Sequence, residues 1–400
     1  MKINKKYWLF IFFISLACSI WFLTIFWGDK ADVDEKVHYR QINRFVKGDF
    51  EILSNLTTIP GYHIVIAFFV KIGHHHTLET ARLISLLLSI ITIWVFFMLS
   101  KKFQVRDPLI KTLQFVFLPI SFFYFPLLYT DIFSLLLVLS AFYFSLKNRY
   151  KLSALFSLAS ILTRQTNIVW AVFIWLYTYL STYGFSFSLK IFRDYLRQTI
   201  GYISLFIAFV IFTLINHGIA IGDRNNHITG FYLGNVYLFL ATIGFLFLPV
   251  LITSLHKIDN NKLKNFFIFG LGLGALIASS FIFIMPKLSN NNMKLTFFMN
   301  IILQGAYHQY RWIYALAIFL GYLVIFTANI KKKDLLFFIF ALLFLVPSFL
   351  VAQRYLIIPL IFLLLFRKET DKKTEYCLLF YFSLLSLFLT YIVFTTAINF

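Results

Sequence analysis

Three carboxylates, a lysine and a histidine fall within the seven residues Asp32-Val33-Asp34-Glu35-Lys36-Val37-His38, directly after the apolar stretch Trp8 to Trp27. A carboxylate held at a membrane face can take a proton from a hydroxyl of a lipid-linked substrate. On a helix the adjacent Asp34 and Glu35 point about 100° apart, so the two cannot share a face. One of them then acts and the other positions. The plain alternative is an ordinary solvated acidic loop.

Five more groups of polar residues interrupt the apolar sequence. Arg164 lies between two apolar arms, where a buried arginine costs about 2.5–3.5 kcal/mol on insertion scales unless compensated. A phosphate is one natural partner, and a snorkelling or interhelical role is the other reading. Asp131, in Tyr129-Thr130-Asp131, either pairs with Arg164 structurally, the reading preferred here, or helps hold an acceptor. The loop from His217 to His227 contains Gly222-Asp223 as a turn, but a turn alone explains Arg224 and His227 poorly. Arg354-Tyr355 lies between Pro347 and Pro359, as a cation for a ligand or as an interfacial anchor. His74-His75-His76 cannot all turn inward, and no helical His-x-x-x-His pair is present, so no metal site is expected.

The elements that position these groups follow from composition. With 60% hydrophobic and 13% charged residues, and apolar runs near the ~20 residues that cross a bilayer, the chain is an all-α polytopic membrane protein rather than a soluble domain. The net charge of +20 comes from short Lys/Arg clusters between apolar spans. That pattern fits cytoplasmic loops and gives no basic face for nucleic acid. Cys18 and Cys377 lie in apolar segments, so neither a disulfide framework nor a cysteine metal site is expected. The first span is read as a retained anchor, with the mature chain starting near Met1.

All the basic loops share one side only if Thr57 to Gly73 does not cross, so this segment is expected as an interfacial helix on the outer surface. About thirteen transmembrane helices result, one of them over 109–127 and with the basic stretch Lys190 to Arg197 as a cytoplasmic loop, in a single domain over 1–400 whose outer loop spans 28–81. Arg164 then tops a hairpin of two short arms meeting at Thr163-Arg164-Gln165-Thr166-Asn167.

The run Arg164-Gln165-Thr166-Asn167-Ile168-Val169-Trp170 resembles the Arg-Gln-Thr-Asn-Ile-hydrophobic-Trp run of the dolichyl-phosphate-glucose-dependent alpha-1,2-glucosyltransferases. Asp34-Glu35 with His38 and Gln41, Thr57-Thr58-Ile59-Pro60-Gly61, the block from Gly218 to His227, and Arg354-Tyr355 with Ile358-Pro359 are similar to further blocks of that family. One family segment, Asp-Asn-Arg-His-Tyr-Thr-Phe, departs here to Asn291-Asn292-Met293-Lys294-Leu295-Thr296-Phe297. The resemblance implies a GT-C glycosyltransferase fold. It also implies an endoplasmic reticulum protein with a luminal active site on the first loop. Its donor would be dolichyl (polyprenyl) phosphate glucose, and its acceptor a diglucosylated lipid-linked oligosaccharide that receives the terminal glucose.

A polyprenyl-phosphate sugar carries its own leaving group, and no Gly-rich phosphate loop follows a strand, so no nucleotide and no cofactor are expected. Inversion needs a carboxylate base, with Asp34 preferred and Glu35 beside it. Arg164, Arg224 and Arg354 are the candidate cations for the departing phosphate. His38, Gln165, Asn167, Asp131, Asp223 and His227 are the candidate sugar-binding groups. Two alternatives remain: a prokaryotic GT-C transferase in the cytoplasmic membrane using another polyprenyl-phosphate sugar, and a lipid or solute transporter. Transport sites lie near the bilayer midplane, often within internal repeats, whereas these ionisable residues gather at one face.

Overall fold

The computed structural model describes residues 5–27, 33–103, 105–222, 230–256, 270–289, 310–328, 330–348 and 350–395. Among them the chain is helical, with no β-strand. In order the helices are α1 Lys5–Trp27, α2 Val33–Val46, α3 Gly61–Ile72, α4 Leu78–Lys102, α5 Pro108–Val116, α6 Thr130–Leu146, α7 Tyr150–Thr163, α8 Ile168–Tyr183, α9 Leu189–Gln198 and α10 Ile200–Ile215. There follow α11 Gly234–Leu246, α12 Leu248–Leu255, α13 Leu273–Ser289, α14 Arg311–Thr327, α15 Leu336–Leu345, α16 Ile357–Phe366 and α17 Lys372–Thr395.

Among the described residues three helices, α1, α4 and α17, are long and apolar enough to cross a membrane, and the count reaches five if the bent pairs α9–α10 and α11–α12 are each one span. Shorter apolar helices, α6, α7 and α14 among them, make up much of the remainder. Large apolar side chains such as Trp8, Phe12, Leu87 and Trp94 stay exposed along α1 and α4. Such faces suit hydrocarbon and not water. The chain is a membrane protein by this composition and these helix lengths.

Two compact units interleave along the sequence: Met1–Lys102, Phe123–His227 and Lys332–Phe340 form one, and Phe103–Phe122, Ile228–Lys331 and Ala341–Phe400 the other.

In the first unit α6, α7 and α8 run up and down. Asp131 meets Arg164 and Asn167 meets Ser134 at one end. At the other, Ser145 bonds Thr178, and the Tyr150 hydroxyl interacts with Thr182. The expected hairpin with its apex at Arg164 is therefore present, and the helix breaks there because Arg164 is extended at φ −147°, ψ 112°. Helix α3 has 12 residues, about 18 Å at 1.5 Å per residue, too short for a hydrocarbon core of about 30 Å. Its Tyr62, His63, Ile66, Ala67 and Val70 are buried while Ile64, Phe68, Phe69 and Ile72 are exposed.

Two expected segments differ. The span over 109–127 stops at Val116, because Pro119 lacks an N–H and would clash with the carbonyl of Phe115 if the helix continued. The chain turns there, and Leu118 N–H donates to Phe115 O at 3.2 Å. The basic stretch Lys190 to Arg197, expected as a loop, is the helix α9. Phe192, Tyr195 and Leu196 share one of its faces, and Phe192 and Tyr195 pack against Trp175.

In the second unit Pro249 bends α11 from α12 by 68°. A proline cannot donate to the carbonyl four residues back, and that carbonyl, Phe245 O, instead accepts Tyr381 O–H at 3.1 Å. Helices α11 and α14 cross at Gly244 and Gly321, where an added Cβ would fall on the carbonyls of Ala317 and Leu240 respectively. Only glycine permits so close a backbone approach.

Candidate active site

The sequence of α2 orders its own ends. Asp34 and Glu35 occupy the first turn and Arg44 the last, an arrangement the helix dipole favours. Gly48, at φ 81°, supplies the left-handed residue that ends the helix, and Asp49 N–H closes on Arg44 O at 2.9 Å. The returning chain is clamped by buried Gln41, whose Oε1 accepts Leu53 N–H at 2.8 Å and whose Nε2 donates to Glu51 O at 3.1 Å. Arg44 pairs with Asp49 and Glu51 on the exposed side.

The 100° between neighbouring residues separates the two carboxylates. Glu35 points inward and is 1% exposed, whereas Asp34 is half-buried. Glu35 accepts Arg82 Nε at 2.9 Å, a second Arg82 nitrogen at 2.6 Å and Leu128 N–H at 3.0 Å. Arg82 also donates to Ile25 O at 3.3 Å, at the end of α1. One buried ion pair thus ties α1, α2, α4 and the segment before α6. Ser85 and Ser89 donate to Leu127 O and Phe125 O at 3.0 and 2.8 Å, and Phe125 stacks on Trp21 at 4.7 Å. The backbone leading into Asp131 is consequently fixed.

Asp131, 3% exposed, pairs with Arg164, whose side chain is 14% exposed. The amides beside Arg164 hold its turn. Asn167 Nδ2 donates to Ser134 Oγ at 2.7 Å and Ser160 O at 3.0 Å, and Gln165 Nε2 donates to Thr57 O at 3.2 Å. That same Thr57 carbonyl accepts Ile221 N–H at 3.2 Å. Gly61 lies against the Leu162 backbone, and Gly222 against the carbonyls of Ser54 and Leu56. Two blocks, 162–165 and 221–222, each more than a hundred residues further along the chain, therefore converge on the segment 54–61.

His38 stands four residues after Asp34 on α2, with its Nδ1 2.8 Å from Nε2 of His63. Tyr62 and Tyr129 meet its ring edge-on, with centroids at 6.4 and 5.9 Å. Burial, and then the neighbouring His38, hold the His63 pKa well below the usual 6.5. Burial likewise raises the Tyr62 phenol, and the Glu35 and Asp131 charges add to that shift. These charges thus surround one small aromatic patch.

Arg354 belongs to the second unit, in the 3-10 turn Gln353–Leu356 that opens α16. Its guanidinium lies 5.9 Å from the Tyr355 ring centroid. Asn235 braces the approach, donating to Ser348 O and Leu350 O at 3.3 and 2.9 Å and accepting Ala352 N–H at 3.2 Å. Asp223, Arg224 and His227 lie outside the described residues. Among the described residues no group of three or more His, Cys, Asp or Glu is arranged to hold a metal.

Sequence reading passed over Arg82 and Asn235. The signal for Arg82 was present, since an arginine at the start of an apolar helix requires a carboxylate partner. Asn235 gave none, as its carbonyl partners lie 113 and 115 residues away.

Fold and site together define a helical membrane protein that gathers buried ion pairs and a half-buried carboxylate where several helices begin or end. The model of the DIE2/ALG10 family matches residues 29–184 and 179–365, and the chain belongs to that family. It is similar to three proteins named Dol-P-Glc:Glc(2)Man(9)GlcNAc(2)-PP-Dol alpha-1,2-glucosyltransferase. The Yarrowia lipolytica protein is 28% identical over 56% of this chain and 49% of its own length. Those of Mus musculus and Homo sapiens are each 25% identical over 58% of this chain and 59% of theirs. The chain thus spans about half to three-fifths of the length of these curated relatives. No solved structure matches.

Proposed function

We propose that this chain is an inverting glucosyltransferase. It takes glucose from dolichyl phosphate glucose and adds it in alpha-1,2 linkage to the terminal glucose of a diglucosylated lipid-linked oligosaccharide. Family membership and the activity named for the relatives support this reading. The fold in this reading is of the GT-C type, with about thirteen spans, α3 at the interface and the site facing the lumen of the endoplasmic reticulum.

Residue roles follow from chemistry. The observation that carries them is the buried bidentate pair of Glu35 with Arg82, completed by Leu128 N–H. With its oxygens so engaged, Glu35 organises the site, and half-buried Asp34 is the base. Asp34 removes the proton of the acceptor 2-hydroxyl as that oxygen attacks the anomeric carbon. The bond from that carbon to the phosphate oxygen breaks on the opposite face, and the dolichyl phosphate stays in the membrane. Arg164, its fork oriented by Asp131, neutralises the charge growing on the phosphate. Arg224 is a further cation for the same charge, Arg354 is a candidate cation of the second unit, and Asp223 and His227 are candidate sugar ligands. Gln165 and Asn167 hold the Arg164 turn.

The test is purified full chain in detergent with dolichyl phosphate glucose and the diglucosylated acceptor, the product linkage read by glucosidase digestion and mass spectrometry. One added alpha-1,2-linked glucose, lost in Asp34→Asn, is expected. Transfer only from another sugar donor would overturn the assignment.

A further inference from the structure

At about 100° per residue, Lys190, Arg193 and Arg197 fall within about 60° of one another on α9, while Ile191, Phe192, Tyr195 and Leu196 take the other side. The apolar side is covered by the protein itself. Tyr195 O–H donates to Trp175 O at 2.6 Å, and its ring meets those of Trp175, Tyr179 and Tyr183 on α8. The three cations are exposed, and among the described residues Arg197 alone of them meets a carboxylate, Asp194 at 3.9 Å. More cations border the same end of the first unit. Tyr150 meets the Tyr195 ring edge-on at 6.2 Å, which brings the turn with exposed Lys147, Arg149 and Lys151 beside α9. Lys333 lies 5.4 Å from the Tyr177 ring centroid on α8, with Lys332 exposed next to it.

Thr199 breaks the chain between α9 and α10. Its hydroxyl donates to Tyr195 O at 2.8 Å and accepts Trp175 Nε1–H at 2.9 Å, and the two helices are bent by 78°. Helix α10 has 16 residues, about 24 Å at 1.5 Å per residue, most of a hydrocarbon core of about 30 Å. Its Ile207, Ile211 and Ile215, at helical spacing, are exposed. With α10 read as a span, on which the inference rests, α9 lies close to the plane of the membrane. Phe185, Phe187 and Leu189 are exposed where α9 begins.

We propose that α9 is an interfacial anchor for anionic phospholipids. Lys190, Arg193 and Arg197 pair with headgroup phosphates while Phe185, Phe187 and Leu189 enter the acyl boundary. A soluble acidic partner would satisfy the cations but leave those three apolar side chains in water, whereas a lipid surface satisfies both sets. In a zwitterionic lipid the ammonium cancels the phosphate charge, so the cations favour lipids of net negative charge.

The experiment titrates the purified full chain in neutral detergent with phosphatidylinositol, phosphatidylcholine or water-soluble glycerophosphoinositol, with binding read by native mass spectrometry. Phosphatidylinositol should bind more tightly than phosphatidylcholine, and added salt should narrow the difference. Lys190→Gln with Arg193→Gln should weaken phosphatidylinositol about twentyfold, from about fivefold for each cation near a lipid surface. Both side chains are exposed, so the fold should survive. Lys101→Gln with Lys102→Gln, an equal loss of charge at the exposed end of α4, should change it far less. Phe185→Ser with Phe187→Ser should weaken both phospholipids, because it removes the apolar half of the contact. Equal losses in the two charge variants, or no preference between the phospholipids, would overturn the proposal. Glycerophosphoinositol bound as tightly as the lipid would overturn it too, in favour of a headgroup pocket. An acidic peptide that displaced phosphatidylinositol at equal concentration would reassign the face to a protein.

Discussion

Glu35 grips Arg82, 47 residues further along the chain, with both carboxylate oxygens at 2.9 and 2.6 Å. The pair is almost wholly buried, with side chains 1% and 3% exposed. Charges so placed hold a fold because removing either strands the other without hydration.

Neighbouring carboxylates should accordingly fail in different ways. Glu35→Ala should lower stability by about 3–5 kcal/mol, the cost of orphaning a buried charge, and its melting point should fall with its activity. Asp34→Asn should melt like the parent while transfer drops at least about a hundredfold, the low end for a lost general base. Thermal unfolding beside a turnover assay separates the two. Equal destabilisation by both variants would remove the division of roles.

Arg164 and Asp131 should act on the donor. Arg164→Ala is expected to reduce use of the phosphate donor well beyond any change in acceptor KM, since in the proposed reaction it removes a cation at the leaving group. Asp131→Asn should show a weaker version of the same effect, because the fork is then less firmly aimed. Steady-state kinetics with each substrate varied in turn provides the check, and an unchanged donor KM and turnover would exclude the role.

Glycine positions differ sharply in what they tolerate. Gly321→Val should prevent α11 and α14 from closing, since its side chain would occupy the Leu240 carbonyl. Gly48→Ala should cost only about 1 kcal/mol, the penalty of a left-handed backbone, as nothing lies within 4 Å of an added Cβ. Expression and monodispersity in detergent should collapse for the first and persist for the second.

Acid should destabilise the fold through His63. Its folded pKa is held below 6.5, so the unfolded chain binds a proton that the folded chain refuses. Stability is therefore complete above pH 6.5 and declines as pH falls below it, by at most about 1.4 kcal/mol per unit. His63→Gln should flatten the dependence of the melting point between pH 7.5 and 5.5, at about the same midpoint temperature throughout that range. A slope unchanged from the parent would place the titration elsewhere.

Much of this architecture was legible because hydropathy and charge are local properties. Runs of apolar residues gave the helices, and the isolated Arg164 between two arms gave the hairpin apex, since a cation there needs both a break and a partner. Proline breaks at Pro119 and Pro249 are equally local, but hydropathy averages over a window and does not register a missing N–H. The helical period of α9 was hidden behind its three basic residues for a similar reason.

By itself, then, the sequence determined that this is a helical membrane protein and that Asp34 and Glu35 diverge by about 100° on one helix. Which one faces inward was decided by tertiary structure alone, because Arg82 and Leu128 N–H reach Glu35 from 47 and 93 residues away. The same holds for Thr57, whose carbonyl receives Gln165 and Ile221, and for the meeting of His38 with His63. Local composition specifies an element and its faces. Burial of a particular charge depends on partners brought near only when distant helices pack, and no short-range pattern in the chain encodes that.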